Sequence, residues 1–127
     1  MELALDRPEN VLLVRHVAPD HVLLSDRELS ASFLLIPDRA IEDWPIDAAD
    51  KLDANQVAPM LALQPELVLL GTGTTQVFPA AEFMAGFLRK GIGIEVMDNS
   101  AAARTYNLLA GEGRKVLAGF ILPRCAA

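Results

Sequence analysis

The chain has 127 residues, 52% of them hydrophobic and 22% charged. A chain of that size and composition buries about two thirds of its unfolded surface without a disulfide or metal staple, and is not disordered. Eleven basic residues against 17 acidic ones, with no Lys/Arg cluster, give a formal net charge of −6, which makes the chain a poor candidate for binding nucleic acid or anionic lipid surfaces.

The first part of the chain alternates short apolar runs with turn residues. Val11–Val17 reads as a strand, Ala18-Pro19-Asp20 as a turn, and His21–Ser25 as the next strand. After Asp26-Arg27, the run Glu28–Ile36 reads as a third strand; Pro37-Asp38 turns the chain again into Arg39–Trp44. Strands this closely spaced form an antiparallel meander. Pro45–Asp53 is a polar connection, and Asp53 or Asn55 caps a short helix reaching about Leu63. Pro59 is tolerated only in a first turn, so that helix starts closer to Val57.

The second half changes period. Glu66–Leu70 is a continuous apolar run, the mark of a strand covered on both faces. A helix follows Pro79, with Ala80, Phe83, Met84, Phe87 and Leu88 on its apolar face and Gly91 at its end. Ile92–Met97 is the next strand; a helix capped by Asn99 or Ser100 runs to Gly111, and Val116–Leu122 is the last strand. This β-α-β-α-β order implies parallel neighbours joined by right-handed crossovers. No repeat or linker divides the chain, so residues 1–127 read as one three-layer α/β domain. Its mixed central sheet combines the C-terminal unit with the N-terminal meander.

The N-terminal MELALDRPEN lacks the apolar core of a signal peptide, and the tail RCAA does not fit the prenylation pattern. The apolar runs fall far short of the ~20 residues of a membrane-spanning helix. With the single cysteine, Cys125, unable to form an internal disulfide, the expected location is a reducing one, the cytoplasm.

The stretch most like a chemical site is Leu69–Pro79, LLGTGTTQVFP. Gln76 stands where a dinucleotide fingerprint needs glycine, and no lysine of a mononucleotide loop follows. What remains is a pair of glycines, Gly71 and Gly73, free to adopt positive φ, beside the hydroxyls of Thr72, Thr74 and Thr75. Three readings stay open: a tight exit from the sheet, a small-ligand or anion site, and a protein-contact loop. Parallel strands would bring this loop to the start of the following helix, where Asn99, Ser100 and Arg104 complete a candidate ligand or partner site. Arg104 reads either as a solvated residue on the helix surface or as an anion contact. Glu112 and Arg114 lie past the helix end and read as a structural pair.

Elsewhere the residues argue against familiar chemistries. His16 and His21 flank a turn without metal-ligand spacing, and no nucleophile elbow, zinc helix or C-x-x-C motif occurs. Asp43, Asp47, Asp50 and Asp53 lack the spacing of a calcium loop and read as a solvated acidic face. Trp44 is either a core residue ending a strand or an exposed anchor. No catalytic residue, metal ligand or cofactor is assigned.

GTGTTQVFP, together with GIGIEVMDNSAAARTYNLLAGEGRKVLAGFILP and the earlier SFLLIPDRAIEDW, resembles the family of small α/β domains that includes mitochondrial respiratory complex I assembly factor 3 and the adipogenesis-associated Mth-domain protein. The likeness covers residues 10–123 and includes Gly71, Gly73, Asp98, Arg104, Tyr106, Asn107, Glu112, Gly113 and Arg114. Asn99 replaces the threonine expected after the aspartate. The resemblance implies the three-layer fold and no established reaction. By analogy it implies a non-enzymatic protein that binds protein partners during assembly of a larger complex, with a homo-oligomer compatible. The alternative is a small-molecule or anion-binding domain, an enzyme among the options, built on Gly71–Thr75 and the helix N-terminus near Ser100.

Overall fold

The apolar runs become two sheets in the computed structural model, which describes residues 11–123. β1 (Val14–Val17), β2 (Val22–Leu24) and β3 (Glu28–Leu29) form a small antiparallel sheet in that order. β4 (Phe33–Ile36) and β5 (Arg39–Ile41) belong instead to a five-stranded sheet with β6 (Leu67–Gly71), β7 (Gly93–Met97) and β8 (Val116–Phe120), in the order β5-β4-β8-β6-β7. β8 lies at its centre, parallel to β6 and antiparallel to β4, while β6 and β7 are parallel. The mixed sheet and the antiparallel pairing of the early strands agree with the sequence reading.

One strand expected over Glu28–Ile36 is in fact two, divided between the sheets. The break falls at Ser30–Ser32. Ser32 is buried and exchanges two hydrogen bonds with Leu122: its hydroxyl donates to the carbonyl at 3.2 Å and accepts from the N–H at 2.8 Å. That exchange holds the chain where it passes from one sheet to the other and satisfies a hydroxyl that burial would otherwise penalise.

Three helices cover the large sheet: α1 (Val57–Leu61), α2 (Ala81–Leu88) and α3 (Asn99–Gly111). Two short 3-10 turns, 49–51 and 54–56, lead into α1, the second closed by a capping box between Asp53 and Gln56. α1 begins at Val57 and carries Pro59 in its first turn, as its chemistry requires. From β6 the chain passes through α2 to β7, and from β7 through α3 back past β6 to β8. Two right-handed crossovers running in opposite directions put the helices on opposite faces.

The packing shows both layers. Phe83 and Phe87 of α2 meet edge to face at 5.2 Å and join Trp44, Leu52, Met60, Val68 and Leu117 on one side. Ala102, Tyr106 and Ala110 of α3 join Phe33, Leu69, Phe120 and the small sheet on the other. Leu88, expected on the apolar face of α2, is instead 57% exposed. Trp44 is a core residue: its ring lies over the middle of β8, and a Cβ at Gly119 would come within 2.9 Å of it.

Candidate functional site

β6 sends its chain to one face of the sheet and β7 to the other, so a crevice is expected between their C-terminal ends. The loop after β6 and the start of α3 do meet there, and the protein fills the gap with its own side chains. Asn99, 3% exposed, accepts from the Gly73 N–H at 3.2 Å and donates through Nδ2 to the Ile121 carbonyl at 3.0 Å. Its own backbone N–H donates to the Gly73 carbonyl at 2.8 Å. One side chain thus ties the ends of β6 and β8 to the first turn of α3.

Gly71 takes its identity from this plug. Positive φ occurs at Gly73 (φ 105) and not at Gly71, where the strand needs glycine because a Cβ would stand 2.4 Å from the Asn99 Oδ1. Thr72 is also spent inside the loop. Its hydroxyl donates to the Thr75 carbonyl at 2.7 Å and accepts from the Val77 N–H at 3.0 Å, closing the loop on itself. Gln76 reaches sideways, its Nε2 donating to the Val96 carbonyl of β7 at 2.8 Å.

The helix cap differs from the expected one. Asp98 is the N-cap of α3, its carboxylate accepting from the Ala101 N–H at 2.8 Å, so Asn99 and Ser100 are the first two helical residues. Thr74, Thr75, Ser100 and Arg104 are exposed. The Arg104 side chain has no hydrogen-bond or ion-pair partner among the described residues. Two depressions border the loop. One, about 180 Å3, lies between Val17–Pro19, Gly73-Thr74 and Asp98–Ser100; the other, about 520 Å3, lies between Asp47–Asp50 and Thr72–Thr75. Neither includes Arg104, and carboxylates line both, so the two glycines, the threonines, Asn99 and Ser100 converge while the arginine stands apart.

Immediately beyond Gln76 the loop exposes two large apolar side chains, Val77 at 44% and Phe78 at 63%. The sequence reading ended the loop's candidate site at Thr75 and did not extend it to them. It also missed the reach of α3 to the small sheet. Asn107 accepts from the Val14 N–H and donates to the Val14 carbonyl, both at 2.8 Å, and the Tyr106 hydroxyl donates to the Leu12 carbonyl at 2.8 Å. Burial, with Asp38 adding to it, pushes the Tyr106 phenol above its ordinary range.

At the other end of the sheet, Arg114 pairs with Glu66 at 3.0 Å, and not with Glu112. The Lys115 N–H and then the Arg114 guanidinium hold the Glu66 carboxyl below its usual range. Of the two caps expected, Asp53 is the one used, at the 3-10 turn before α1, and Asp47 of the acidic face pairs with Lys51 at 2.7 Å. His16 is exposed, and His21 meets Asp20 at 2.8 Å. Cys125 and the N-terminal ten residues lie outside the described residues.

Comparison with known proteins places this arrangement. A solved structure from Xanthomonas campestris is 40% identical with a TM-score of 0.82, covering 96% of this chain and 92% of that one. A Bordetella pertussis structure described as a Mth938-like domain is 25% identical with a TM-score of 0.77, covering 95% and 92%. The zebrafish (Danio rerio) NADH dehydrogenase [ubiquinone] 1 alpha subcomplex assembly factor 3 is 30% identical over 86 residues, 66% of this chain and 49% of that protein. A Francisella tularensis protein called 13 kDa major membrane protein is 34% identical over 71 residues, 56% of this chain and 58% of that one. The matches thus span about half the length of these curated relatives. No helix among the described residues is long and apolar enough to cross a membrane. Residues 14–121 match the family described as protein of unknown function DUF498/DUF598, and the chain belongs to that family, together with complex I assembly factor 3 and the Mth938-like domains.

Proposed function

We propose that this protein is a non-enzymatic binding factor in the assembly of a larger protein complex, and that the edge formed by the glycine loop is its contact surface. One observation carries the reading: Val77 and Phe78 are exposed on a loop whose main chain is braced by Thr72, Gln76 and Asn99. An apolar pair held on a rigid support loses little freedom on binding, the property of an interface anchor. The names of the assembly-factor relatives support the same role. In this reading the whole chain acts as one unit, in the cytoplasm, and its partners are proteins.

The test is photocrosslinking in the native cell from p-benzoylphenylalanine at position 78, with position 108 as control because Leu108 is equally exposed at 63%. A discrete adduct from 78, absent from 108 and competed by excess wild-type protein but not by Phe78→Ser, is the expected result. Failure to form any adduct at 78 would overturn it.

The depression of about 520 Å3 beside Thr72–Thr75 supports a second reading, a small-molecule site, since it falls in the size range of ligand pockets. A thermal-shift screen separates the two. A ligand at ~100 times its dissociation constant adds about 2.7 kcal/mol, and a hit that survives Phe78→Ser would move the function to the depression.

A further inference from the structure

The end of the large sheet lies beside the loop just described. β7 is its terminal strand. The Thr72 N–H donates to the Met97 carbonyl at 2.9 Å, so by the alternation of a parallel ladder Gly93, Glu95 and Met97 turn their backbone groups toward β6. Ile94 and Val96 then turn theirs outward. The Gln76 contact to the Val96 carbonyl agrees with that direction. Among the described residues no partner is found for the Ile94 N–H, the Ile94 carbonyl or the Val96 N–H.

The side chains make the edge selective. Ile94 and Val96 are buried in the core under α2, while Gly93 and Glu95 are exposed on the opposite face. Glu95 is the charged residue of this strand and has no ion-pair partner among the described residues. Resting on the protein-binding reading above, we infer that β7 is a docking edge for an extended segment of a partner protein that places a lysine or arginine opposite Glu95. An antiparallel strand added here bonds through Ile94 and Val96, which leaves Glu95 at a non-hydrogen-bonded position. There the facing Cα atoms approach to about 4.5 Å and side-chain charge counts most. Main-chain bonds supply the attachment and Glu95 the choice of sequence.

Charge also decides against a second copy. In a two-fold antiparallel pair that uses both Ile94 and Val96, Glu95 faces Glu95, and each chain carries a net charge of −6. Phe78, two residues beyond Gln76 on the same loop, offers an apolar contact near the C-terminal end of the edge.

The experiment titrates the full 15N-labelled chain with two blocked heptapeptides of alternating valine and threonine, one with a central lysine and one with a central glutamate. At ten times its dissociation constant the lysine peptide is expected to slow amide exchange at Ile94 and Val96 about tenfold, with the glutamate peptide inert at the same concentration. In Glu95→Lys the preference should invert, an outcome that general loss of structure cannot produce. Equal effects from both peptides, or none from either, overturn the proposal. Protection of these amides that rises with protein concentration alone also overturns it, by assigning the edge to a second copy. A photoadduct at position 78 with failed peptides removes the docking mode and leaves the assembly reading standing; a missing adduct with a bound lysine peptide does the reverse.

Discussion

At the β1 end of the small sheet, the Asn107 amide accepts the Val14 N–H and donates to the Val14 carbonyl, so the outward groups of that residue are both answered from α3. The Tyr106 hydroxyl answers the Leu12 carbonyl two residues earlier. At the β7 end of the large sheet a single glutamine reaches one carbonyl, and the neighbouring N–H and C=O groups have no partner among the described residues. Both ends face the hazard of an unfinished ladder. The first is sealed by side chains that imitate a strand; the second carries a charge and stays open. A sealed edge serves stability, whereas a charged and open one serves selective contact, and the two lie on one molecule.

Substitutions can break this contrast, the largest effect coming where sealing is tightest. Gly71→Ala pushes a methyl group against the side-chain amide of Asn99, which one hydrogen bond at Oδ1 and another at Nδ2 hold in place, and is expected to cost about 2–3 kcal/mol in urea unfolding. Asn107→Ala unseals β1 by removing both bonds to Val14. A loss of about 2 kcal/mol is expected, with exchange of the Val14 amide accelerated while that of Ile94 stays unchanged.

Tyr106→Phe removes one bond and should cost about 1 kcal/mol at neutral pH. It also changes the alkaline response. The folded state holds the phenolic proton more tightly than the unfolded chain does, because burial raises the group above its ordinary value near 10. The stabilisation is therefore full below about pH 10 and declines as pH rises past it. A pH series of denaturation midpoints should show that decline in the wild type and its absence in Tyr106→Phe. The smallest effect belongs to Gln76→Ala, at about 0.5 kcal/mol or less because the freed Val96 carbonyl reaches water. It sharpens the contrast in function: with a fourth outward group available, the lysine peptide should bind the edge more tightly than it binds the wild type.

The unit from β6 to β8 was legible in the sequence because each element carries its own local signal. Leu67–Leu70 is apolar throughout, as a doubly covered strand must be, and glycines follow α2 and α3 where 6→1 hydrogen bonds close them, Ile92 to Phe87 and Arg114 to Leu109. The central place of β8 was not legible, since chain order does not reveal sheet order. Glu28–Ile36 looked like one strand because nothing local shows that Ser32 would bond to Leu122, 90 residues away.

In the candidate site, Gly71, Gly73, Thr74, Asn99 and Ser100 lie close together, as parallel strands require, but the roles of Asn99 and Gly71 depend on each other and appear only in three dimensions. Asp98, Asn99 and Ser100 are all competent caps, and the first of them captures the Ala101 N–H. Arg104 lay on the expected helix and still stands apart from the loop, because one further turn carries a side chain away from the cap. The seal by Asn107, 93 residues from Val14, had no sequence signal beyond a polar residue on a helix.

The seat of Trp44 on Gly119 has a spectroscopic consequence. This is the chain's one tryptophan, buried against the central strand by a segment that runs on to the Asp47–Asp50 side of the larger depression. Its emission therefore reports a single event, the lifting of residues 42–52 from the sheet. A red shift that precedes the loss of far-ultraviolet ellipticity during unfolding would show that this flap detaches before the sheet gives way. Coincident transitions would show that sheet and flap form one cooperative unit.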